Sequence, residues 1–348
     1  MLNKLSRVFG LLFLIIVLCF VSGCAKGNIE KNMNPAEDIP VTLKLKWVHQ
    51  AQFAGNYVAK ERGFYRDEGL SVQLVPFSFE SPTIDAVANG EADFGITGAD
   101  ELIVARSKGI PIKAIAVIYK ITPVCVYALK ESGITKPQDL LGKTVGLERG
   151  TNVDLLYYVM MSRLGINEST IKEISIGYDA SELLNGTTDA STGYVINEPQ
   201  QVIEAGHDVT TILVADYGAN MYADVLFTTD DMITTKPDLV QEMLRATIRG
   251  WEYAIEHNGE AIDDVMKYAT QSTRQHEQYM LEQSIPLINT GDGFIGWMNK
   301  EQWDLAQEIL LEQGILDNPV NMNDVYTMQF LDQIYENTGE EDGAQQQI

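Results

Sequence analysis

One stretch near the start of the chain combines an aromatic ring with two amide side chains. Trp47 ends the alternating segment 41–47, which is typical of a half-buried β-strand, and Gln50 and Gln52 follow it. An indole at a strand end can stack on a flat ring, which contributes about 0.5–1.5 kcal/mol beyond burial of area. Amides can both donate and accept hydrogen bonds. We therefore predict that Trp47, Gln50 and Gln52 contact a ligand, with a core tryptophan as the alternative for Trp47.

Four more side chains of the first half stand near predicted strand ends or helix starts. Tyr57 lies on the next helix, where a core position and a pocket position fit equally well. Phe79 and Glu80 follow the second strand and can reach a cleft, but a turn that only starts the next helix fits as well. Asp100 can accept hydrogen bonds from an exocyclic amine, and the alternative is a carboxylate placed in a first helical turn by the helix dipole.

Five candidates follow strands of the second half. Thr151 and Asn152 open a helix, where free N–H groups and a hydroxyl can bind an acceptor, and simple N-capping is the alternative. Tyr194, Asn197 and Glu198 stand at the end of another strand. Glu198 can accept a charge-assisted hydrogen bond from an amine or a protonated ring nitrogen. A glutamate that merely starts a helix is the alternative.

Three tyrosines complete the predicted ligand contacts. Tyr119 ends a strand, and Tyr217 and Tyr222 fall where the chain is predicted to cross between two lobes. Hinge packing is the alternative for the last two. We predict no metal site, because the four His residues show no paired spacing, and no catalytic group or cofactor.

Strands and helices alternate through most of the chain, which predicts an α/β protein with two parallel, doubly wound sheets. The predicted strands cover residues 41–47, 71–76, 93–96, 112–119, 124–129, 144–147, 171–176, 190–195 and 209–214. The predicted helices cover residues 55–62, 83–89, 99–107, 153–164, 237–257, 260–269, 274–283, 300–313 and 322–336.

The order of elements predicts two lobes with a hinge of two segments. Residues 41–120 and 222–336 would form the first lobe, and residues 121–221, with the crossings, the second. Ligands of open α/β sheets bind at the carboxyl ends of the strands. Two such sheets facing each other would line a cleft that closes on a small molecule.

The N-terminal segment predicts export. Lys4 and Arg7 precede an apolar run over residues 8–20, which is typical of a signal peptide over residues 1–23. Ser22 and Gly23 stand directly before Cys24, a pattern similar to the bacterial lipobox, so we predict that Cys24 carries the lipid. A membrane-spanning anchor is the alternative, but the run is shorter than the roughly 20 apolar residues that a spanning helix needs. Residues 24–40 are predicted to be a tether and residues 337–348 a flexible tail.

The composition excludes several classes of protein. The net charge of −24 argues against nucleic-acid binding, because phosphate contacts need clustered basic residues. Only 3 Cys are present, which excludes a disulfide scaffold or a Cys-rich metal site. One of them, Cys125, is predicted to be buried.

Several motifs in order resemble a family of ABC-importer substrate-binding lipoproteins. They are Leu45-Lys-Trp47 with Gln50-Ala-Gln52-Phe-Ala-Gly55-Asn-Tyr57, Gly63-Phe-Tyr65 with Glu68-Gly69-Leu70, Gly90-Glu-Ala-Asp93-Phe-Gly95, Asp139-Leu-Leu-Gly142, Asn197-Glu198-Pro199, Asp216-Tyr217-Gly218 and Gly296-Trp297-Met-Asn299. This branch is similar to the binding proteins for thiamine pyrimidine precursors and riboflavin, and the family also contains sulfonate and nitrate binders.

The resemblance implies the bilobed fold of type 2 periplasmic binding proteins and a monomer held outside the cytoplasm by its lipid. Its partners would be a small-molecule ligand and the permease and ATPase subunits of an importer. The aromatic and acidic candidates favour a flat, neutral or cationic heterocycle, with a thiamine pyrimidine precursor first and riboflavin second. No Arg stands at a clear strand end of the first lobe, which disfavours sulfonate and nitrate. The rival class is an enzyme similar to the pyrimidine-precursor synthase, which is disfavoured because that enzyme's Cys-rich motif is missing.

Overall fold

The computed structural model describes residues 38–291 and 294–336. The predicted signal peptide, the lipid-bearing Cys24, the predicted tail and most of the predicted tether therefore lie outside the described residues. The first strand begins at Ile39, so the last two residues of the predicted tether belong to it.

Ten strands form two five-stranded sheets in the described residues. The strands are β1 Ile39–Lys44, β2 Leu70–Val75, β3 Phe94–Thr97, β4 Ile112–Val117, β5 Val124–Leu129, β6 Thr144–Leu147, β7 Lys172–Ser175, β8 Ala190–Tyr194, β9 Val209–Leu213 and β10 Val225–Thr229. The first sheet has the order β2-β1-β3-β10-β4, and the second has the order β7-β6-β8-β5-β9.

Fourteen α-helices of the described residues surround these sheets. They are α1 Ala54–Glu61, α2 Phe64–Asp67, α3 Thr83–Ala88, α4 Ala99–Ser107, α5 Asn152–Arg163, α6 Ser181–Leu184, α7 Glu198–Glu204, α8 Asp230–Thr235, α9 Pro237–Glu256, α10 Asn258–Val265, α11 Arg274–Ile288, α12 Lys300–Glu312, α13 Met322–Val325 and α14 Gln329–Glu336. A short 3₁₀ turn, Ala51–Phe53, precedes α1.

Both sheets are mixed, so the prediction of parallel sheets is wrong for β5, and the antiparallel strand β10 was not predicted. In the first sheet β10 runs antiparallel to β3 and β4, and in the second β5 runs antiparallel to β8 and β9. The reason lies in the two crossings. Each crossing leaves the carboxyl edge of one sheet and enters the other sheet at its carboxyl edge. The first strand after each crossing, β5 or β10, therefore runs away from that edge, in the direction opposite to its neighbours.

The two crossing segments, residues 118–123 and 214–224, are hydrogen-bonded to each other. The Ile118 N–H donates to the Asp224 carbonyl at 2.7 Å, and the Ala223 N–H donates to the Tyr119 carbonyl at 3.1 Å. The side-chain oxygen of Asn220 accepts from the Thr122 N–H at 2.9 Å. The chain therefore passes between the sheets through a short double-stranded connection, which keeps their carboxyl edges close together.

Helix α9 packs closely on α1 because both carry glycine at the point of contact. A Cβ built on Gly250 would lie 2.1 Å from the Gly55 carbonyl oxygen, and one on Gly55 would lie 2.3 Å from Trp251 Cγ. Trp251 is buried there, and α1 leads directly from the turn that carries Gln52. This contact therefore fixes the base of the loop that follows β1.

Cys125 is completely buried in β5, as predicted. Across residues 38–291 and 294–336, no helix combines the length and the apolar character needed to cross a membrane.

Candidate functional site

A cavity of about 270 Å³ lies where the carboxyl edges of the two sheets meet, lined by residues that follow strands of both. Ten of the fifteen predicted ligand contacts line it: Trp47, Gln50, Gln52, Phe79, Asp100, Thr151, Asn152, Tyr194, Asn197 and Glu198. Eight further residues complete the lining: Lys46, Phe77, Gly98, Glu101, Glu148, Gly150, Val153 and Tyr178.

Four aromatic rings form one side of this cavity. The rings of Trp47 and Phe77 are nearly parallel, at 22° and 6.1 Å between centroids, and Phe79 meets Phe77 edge to face at 5.1 Å. Tyr178 approaches Trp47 edge to face at 5.1 Å. Tyr178 follows β7 of the second sheet, whereas Trp47 follows β1 of the first, so this contact bridges the two sheets. The apolar faces offer a flat ligand stacking partners on the cavity wall.

A chain of hydrogen bonds organises the loop after β1. The amide nitrogen of Gln50 donates to Gln52 Oε1 at 2.7 Å, and that of Gln52 donates to Asp224 Oδ1 at 2.9 Å. The amide of Gln52 is therefore engaged at both ends within the protein. The Gln52 amide thus orders the floor of the cavity. The amide oxygen of Gln50 has no hydrogen bond to another described side chain.

Lys46 supplies a positive charge to the floor of the cavity. Its ammonium donates to the Ala223 carbonyl at 3.0 Å and lies 3.6 Å from Asp224 Oδ1. Burial lowers the pKa of Lys46, but the acidic groups around it outweigh burial and raise that pKa above its usual value. Because Asp224 balances this charge, the lysine is a weak site for a further anion. Lys46 was not predicted as a site residue. It alternates with apolar residues along the chain, which is typical of the exposed face of a strand.

Two buried carboxyl groups face the cavity from the second sheet. Glu198 is 4% exposed and Glu148 is 7% exposed. Burial raises the pKa of both, and the charge of Glu198 raises that of Glu148 further. These two groups therefore do not both ionise readily. Together they can offer one protonated donor and one acceptor, or two acceptors to a ligand rich in N–H groups.

Glu198 is held in place by the strand beside it. Its Oε2 accepts the Tyr194 N–H at 2.7 Å, and its Oε1 accepts the amide of Asn197 at 2.5 Å. Gly193 makes this approach possible, because a Cβ there would lie 2.6 Å from Glu198 Oε2. The predicted helix-start position of Glu198 is also present, since α7 begins with it. Glu198 therefore starts α7 and also lines the cavity, so the two interpretations of this residue do not exclude each other.

Asp100 and Glu101 approach from the first turn of α4. Burial, followed by repulsion from Glu101, raises the pKa of Asp100 to about 6. The carboxylate of Glu101 accepts hydrogen bonds from Thr97 Oγ1 and from the Gly98 N–H, the latter at 3.3 Å. Glu101 thus caps its own helix, whereas Asp100 faces the cavity.

The predicted acceptor-binding helix start at Thr151 is occupied by the protein itself. Thr151 Oγ1 accepts the Val153 N–H at 3.1 Å, and Asp154 accepts the Gly150 N–H at 2.9 Å. N-capping is thus the role that the structure shows for Thr151. Asn152 differs, because its amide pairs with Tyr194 Oη at 3.0 Å and joins two walls of the cavity.

Five predicted ligand contacts lie outside the cavity. Tyr57 is buried and its hydroxyl pairs with His49 Nδ1, while the hydroxyl of Tyr119 donates to Ser284 Oγ. Tyr222 is buried against Trp303, and its hydroxyl accepts the Asn299 N–H. Tyr217 is half-buried in the second crossing, and Glu80 is exposed in a turn.

A second cavity of about 340 Å³ adjoins the first, between α3 and α4. Lys46, Phe77 and Glu101 line both cavities and form the boundary between them. The other lining residues of the second cavity are Pro82, Thr83, Ile84, Asp85, Thr97, Val104, Ala105, Lys108 and Ile110. Its walls thus mix hydroxyl and charged groups with an apolar surface.

No group of three or more His, Cys, Asp or Glu side chains in the described part of the chain is arranged to hold a metal ion.

A family model described as "NMT1/THI5 like" matches residues 50–261. This range includes the cavity residues from Gln50 to Glu198 and the second crossing.

Three curated proteins are similar over most of the chain. Riboflavin-binding protein RibY of Chloroflexus aurantiacus is 25% identical over 84% of this chain and 86% of its own length. The formylaminopyrimidine-binding protein of Halalkalibacterium halodurans is 24% identical over 92% of this chain and 98% of its own length. The 4-amino-5-hydroxymethyl-2-methylpyrimidine phosphate synthase of Legionella pneumophila is 27% identical over 84% of this chain and 92% of its own length.

Among solved structures, a putative periplasmic sulfonate-binding protein SsuA of Methylobacillus flagellatus is similar, with a TM-score of 0.68 and 16% identity. The match covers 88% of this chain and 97% of that chain. The predicted α/β, bilobed periplasmic-binding-protein fold is thereby confirmed.

Proposed function

The chain belongs to the NMT1/THI5-like family, and on that premise we propose that it is the solute-binding component of an ABC importer. It captures a small, flat heterocycle by closure of the cleft. The observation that carries this proposal is a single cavity whose aromatic wall and buried carboxyl groups come from both sheets. A ligand that contacts both sheets stabilises the closed arrangement over the open one.

The cavity favours a ligand with ring nitrogens and amino groups. Trp47 and Phe77 offer ring faces, while Glu198, Glu148 and Asp100 offer oxygen acceptors for N–H groups. A thiamine pyrimidine precursor has these features, and we propose it as the ligand. Support comes from the formylaminopyrimidine-binding relative, which this chain matches over 98% of that protein's length.

An anion fits the same lining poorly. Lys46 is the cation among the lining residues, and Asp224 already balances it. Several carboxyl groups surround the remaining space, so a sulfonate or nitrate would meet repulsion there. The likeness to a sulfonate-binding structure therefore concerns the fold and does not extend to the ligand that we propose.

The second cavity favours riboflavin or another substituted aromatic compound as an alternative ligand. A volume of about 270 Å³ lies just below the usual range of about 300–1,000 Å³ for ligand sites. A three-ring ligand with a polyol chain needs more room, and the adjoining cavity of about 340 Å³ offers it with hydroxyl groups on its walls. The likeness to RibY agrees with this alternative.

Calorimetric titration of the purified chain decides among these ligands. Formylaminopyrimidine, riboflavin, taurine and nitrate are the probes, and we expect heat of binding with the first. Trp47→Ala and Glu198→Gln should each weaken binding at least tenfold, or about 1.4 kcal/mol. Glu131→Gln, at an exposed position in the short 3₁₀ turn that follows β5, is the matched control for the carboxyl change. Heat with taurine or nitrate alone would overturn the heterocycle proposal.

The alternative functional class is an enzyme similar to the pyrimidine-precursor synthases, and one relative carries the name of such a synthase. We disfavour it because the full sequence has only 3 Cys, and the one among the described residues, Cys125, is buried in β5. A Cys-rich catalytic motif cannot be assembled from these residues. Prolonged incubation with the bound pyrimidine, followed by mass spectrometry of ligand and protein, should recover both unchanged.

We further propose that the protein is a monomer outside the cytoplasm, anchored to the membrane by a lipid on Cys24. Its partners are the permease and ATPase subunits of the importer. The pattern Ser22-Gly23-Cys24 behind an apolar run supports this placement. Replacement Cys24→Ser should release the protein from membranes and abolish incorporation of labelled fatty acid. Continued lipid labelling of that variant would contradict the proposal.

A further inference from the structure

Helix α11 contacts both walls of the cavity and the hinge. Glu277 Oε2 accepts the Ala51 N–H at 2.5 Å, in the turn between Gln50 and α1. The neighbouring residue, His276, places Nε2 2.8 Å from Asn197 Oδ1 at the start of α7. Tyr279 donates from its hydroxyl to the Val195 carbonyl at 3.2 Å. The first turns of one helix thus touch loops that follow strands of both sheets.

The other end of α11 is fixed at the first crossing. The Leu287 carbonyl accepts the N–H groups of Lys120 and Ile121 at 3.0 and 3.2 Å. At 1.5 Å per residue, His276 lies about 16 Å along the helix from this anchor. A rotation of about 10° at the hinge would move a contact at that radius by about 3 Å, which breaks a hydrogen bond. The contact between His276 and Asn197 therefore exists only near the present degree of closure.

His276 also determines the orientation of the Asn197 amide. The amide nitrogen of Asn197 donates to Glu198 Oε1, and its oxygen faces the His276 ring nitrogen, which must then donate. The other ring nitrogen of His276 lies 3.7 Å from Glu204 Oε1, at the end of α7. The imidazole ring thus lies between an oxygen atom of the residue that caps α7 and one of the last residue of that helix, and the side chain of His276 is 11% exposed.

We propose that His276 is a positioning residue that latches the cleft and, through Asn197, holds the carboxyl group of Glu198 toward the ligand. This inference rests on the proposed solute-binding function. The physical reason is that an asparagine amide has distinct ends. With a donor fixed at its oxygen, its NH₂ group must face Glu198. Without that donor the amide is fixed at its NH₂ end alone, so it can rotate and carry that group away from the Glu198 carboxylate.

Two substitutions separate a donor role from simple packing. His276→Ala removes the donor, while His276→Gln keeps an N–H group on a side chain of similar reach. His257→Ala is the control, because His257 is exposed at the end of α9 and stacks on Tyr253 outside the cavity. We expect His276→Ala to weaken formylaminopyrimidine binding about tenfold, mainly through faster dissociation, and His276→Gln to restore most of the affinity.

A measurement without ligand tests the latch independently of the proposed function. Dyes placed on the two lobes of the full chain report their separation by single-molecule energy transfer. We expect His276→Ala to shift the ligand-free population toward larger separations, with His276→Gln and His257→Ala close to the wild type. Unchanged separation in His276→Ala overturns the latch, even if the wild type binds pyrimidine. A wild type that binds no probe, with the separation still shifted, overturns the proposed ligand and leaves the latch supported.

Discussion

Replacement of Gly193 by alanine is the sharpest test of how Glu198 is held. The backbone of Gly193 has no positive φ, so alanine is tolerated by the chain itself. The new Cβ would lie 2.6 Å from Glu198 Oε2, whereas ordinary contacts begin at 3.4 Å. The carboxyl group must therefore retreat by 3.4 − 2.6, or about 0.8 Å, to restore an ordinary contact.

That retreat is large enough to break a hydrogen bond. The distance from the Tyr194 nitrogen to Glu198 Oε2 would grow from 2.7 Å to as much as about 3.5 Å, beyond the usual limit. A buried donor left without a partner costs about 1–3 kcal/mol. We expect this loss in the free energy of unfolding. Because the displaced carboxyl group no longer meets the ligand, we also expect at least tenfold weaker binding, about 1.4 kcal/mol.

Urea denaturation and calorimetric titration with formylaminopyrimidine measure the two effects. Gly259→Ala is the matched control, since a Cβ there meets no atom within 4 Å. Unchanged stability and affinity in Gly193→Ala would refute the geometry described for Glu198. Reduced stability with full affinity would show that Glu198 supports the strand without touching the ligand.

Three further predictions concern pH, packing and ligand size. Burial and Glu198 raise the pKa of Glu148 from 4.5 to about 9, so between those values the folded state binds more protons than the unfolded state and stability falls as pH rises. Glu148→Gln should therefore lose less stability than the wild type between pH 5 and pH 8 in urea titrations, and equal losses would contradict this. Gly250→Ala should destabilise the fold by about 1–3 kcal/mol, because its Cβ would meet the Gly55 carbonyl at 2.1 Å, and an unchanged melting temperature would refute the close packing. Val104→Trp fills the second cavity and should weaken riboflavin binding while leaving formylaminopyrimidine binding unchanged; equal effects on both ligands would show that neither uses that cavity selectively.

The alternation of apolar and polar residues was enough to locate most elements. Strands β5 and β6 and helix α4 have the predicted bounds, because clear turn or glycine signals flank their periodic segments. Strand β10, Val225–Thr229, was missed. It follows the second crossing without an intervening helix, so nothing local distinguishes it from the crossing segment. Its antiparallel direction depends on where the chain re-enters the sheet, which residue periodicity does not record.

The cavity residues were predictable only where position and polarity agreed. Trp47 and Glu198 stand at strand ends with polar neighbours, and both line the cavity. Tyr57 and Tyr119 look similar in sequence, but their hydroxyl groups find partners inside the core, at His49 and Ser284. A tyrosine at a strand end or on the helix that follows therefore fits a buried network as well as a pocket, and its hydrogen-bond partners in the folded protein decide between the two.

Glu148 shows a different limit of sequence reasoning. It follows β6 in the same loop as Thr151, and the prediction for that loop rested on its free N–H groups and the Thr151 hydroxyl, with N-capping as the alternative. The burial of Glu148 and its electrostatic coupling to Glu198 arise from the close approach of β6 and β8, which are neighbours in the sheet but distant in the chain. The burial of such a carboxyl group can be inferred only when the order of the strands in the sheet is known.

The placement of Trp47 gives the chain an intrinsic optical reporter of closure. Of the four tryptophans, Trp251 and Trp303 are buried in the core and Trp297 packs against Phe294 and Tyr335. Trp47 is the one that lines the cavity and touches a ring from the opposite sheet. Its fluorescence will change when that contact opens or when a heterocycle stacks on it, while the other three indoles give a constant background. Cleft motion can thus be followed by emission from the unlabelled protein.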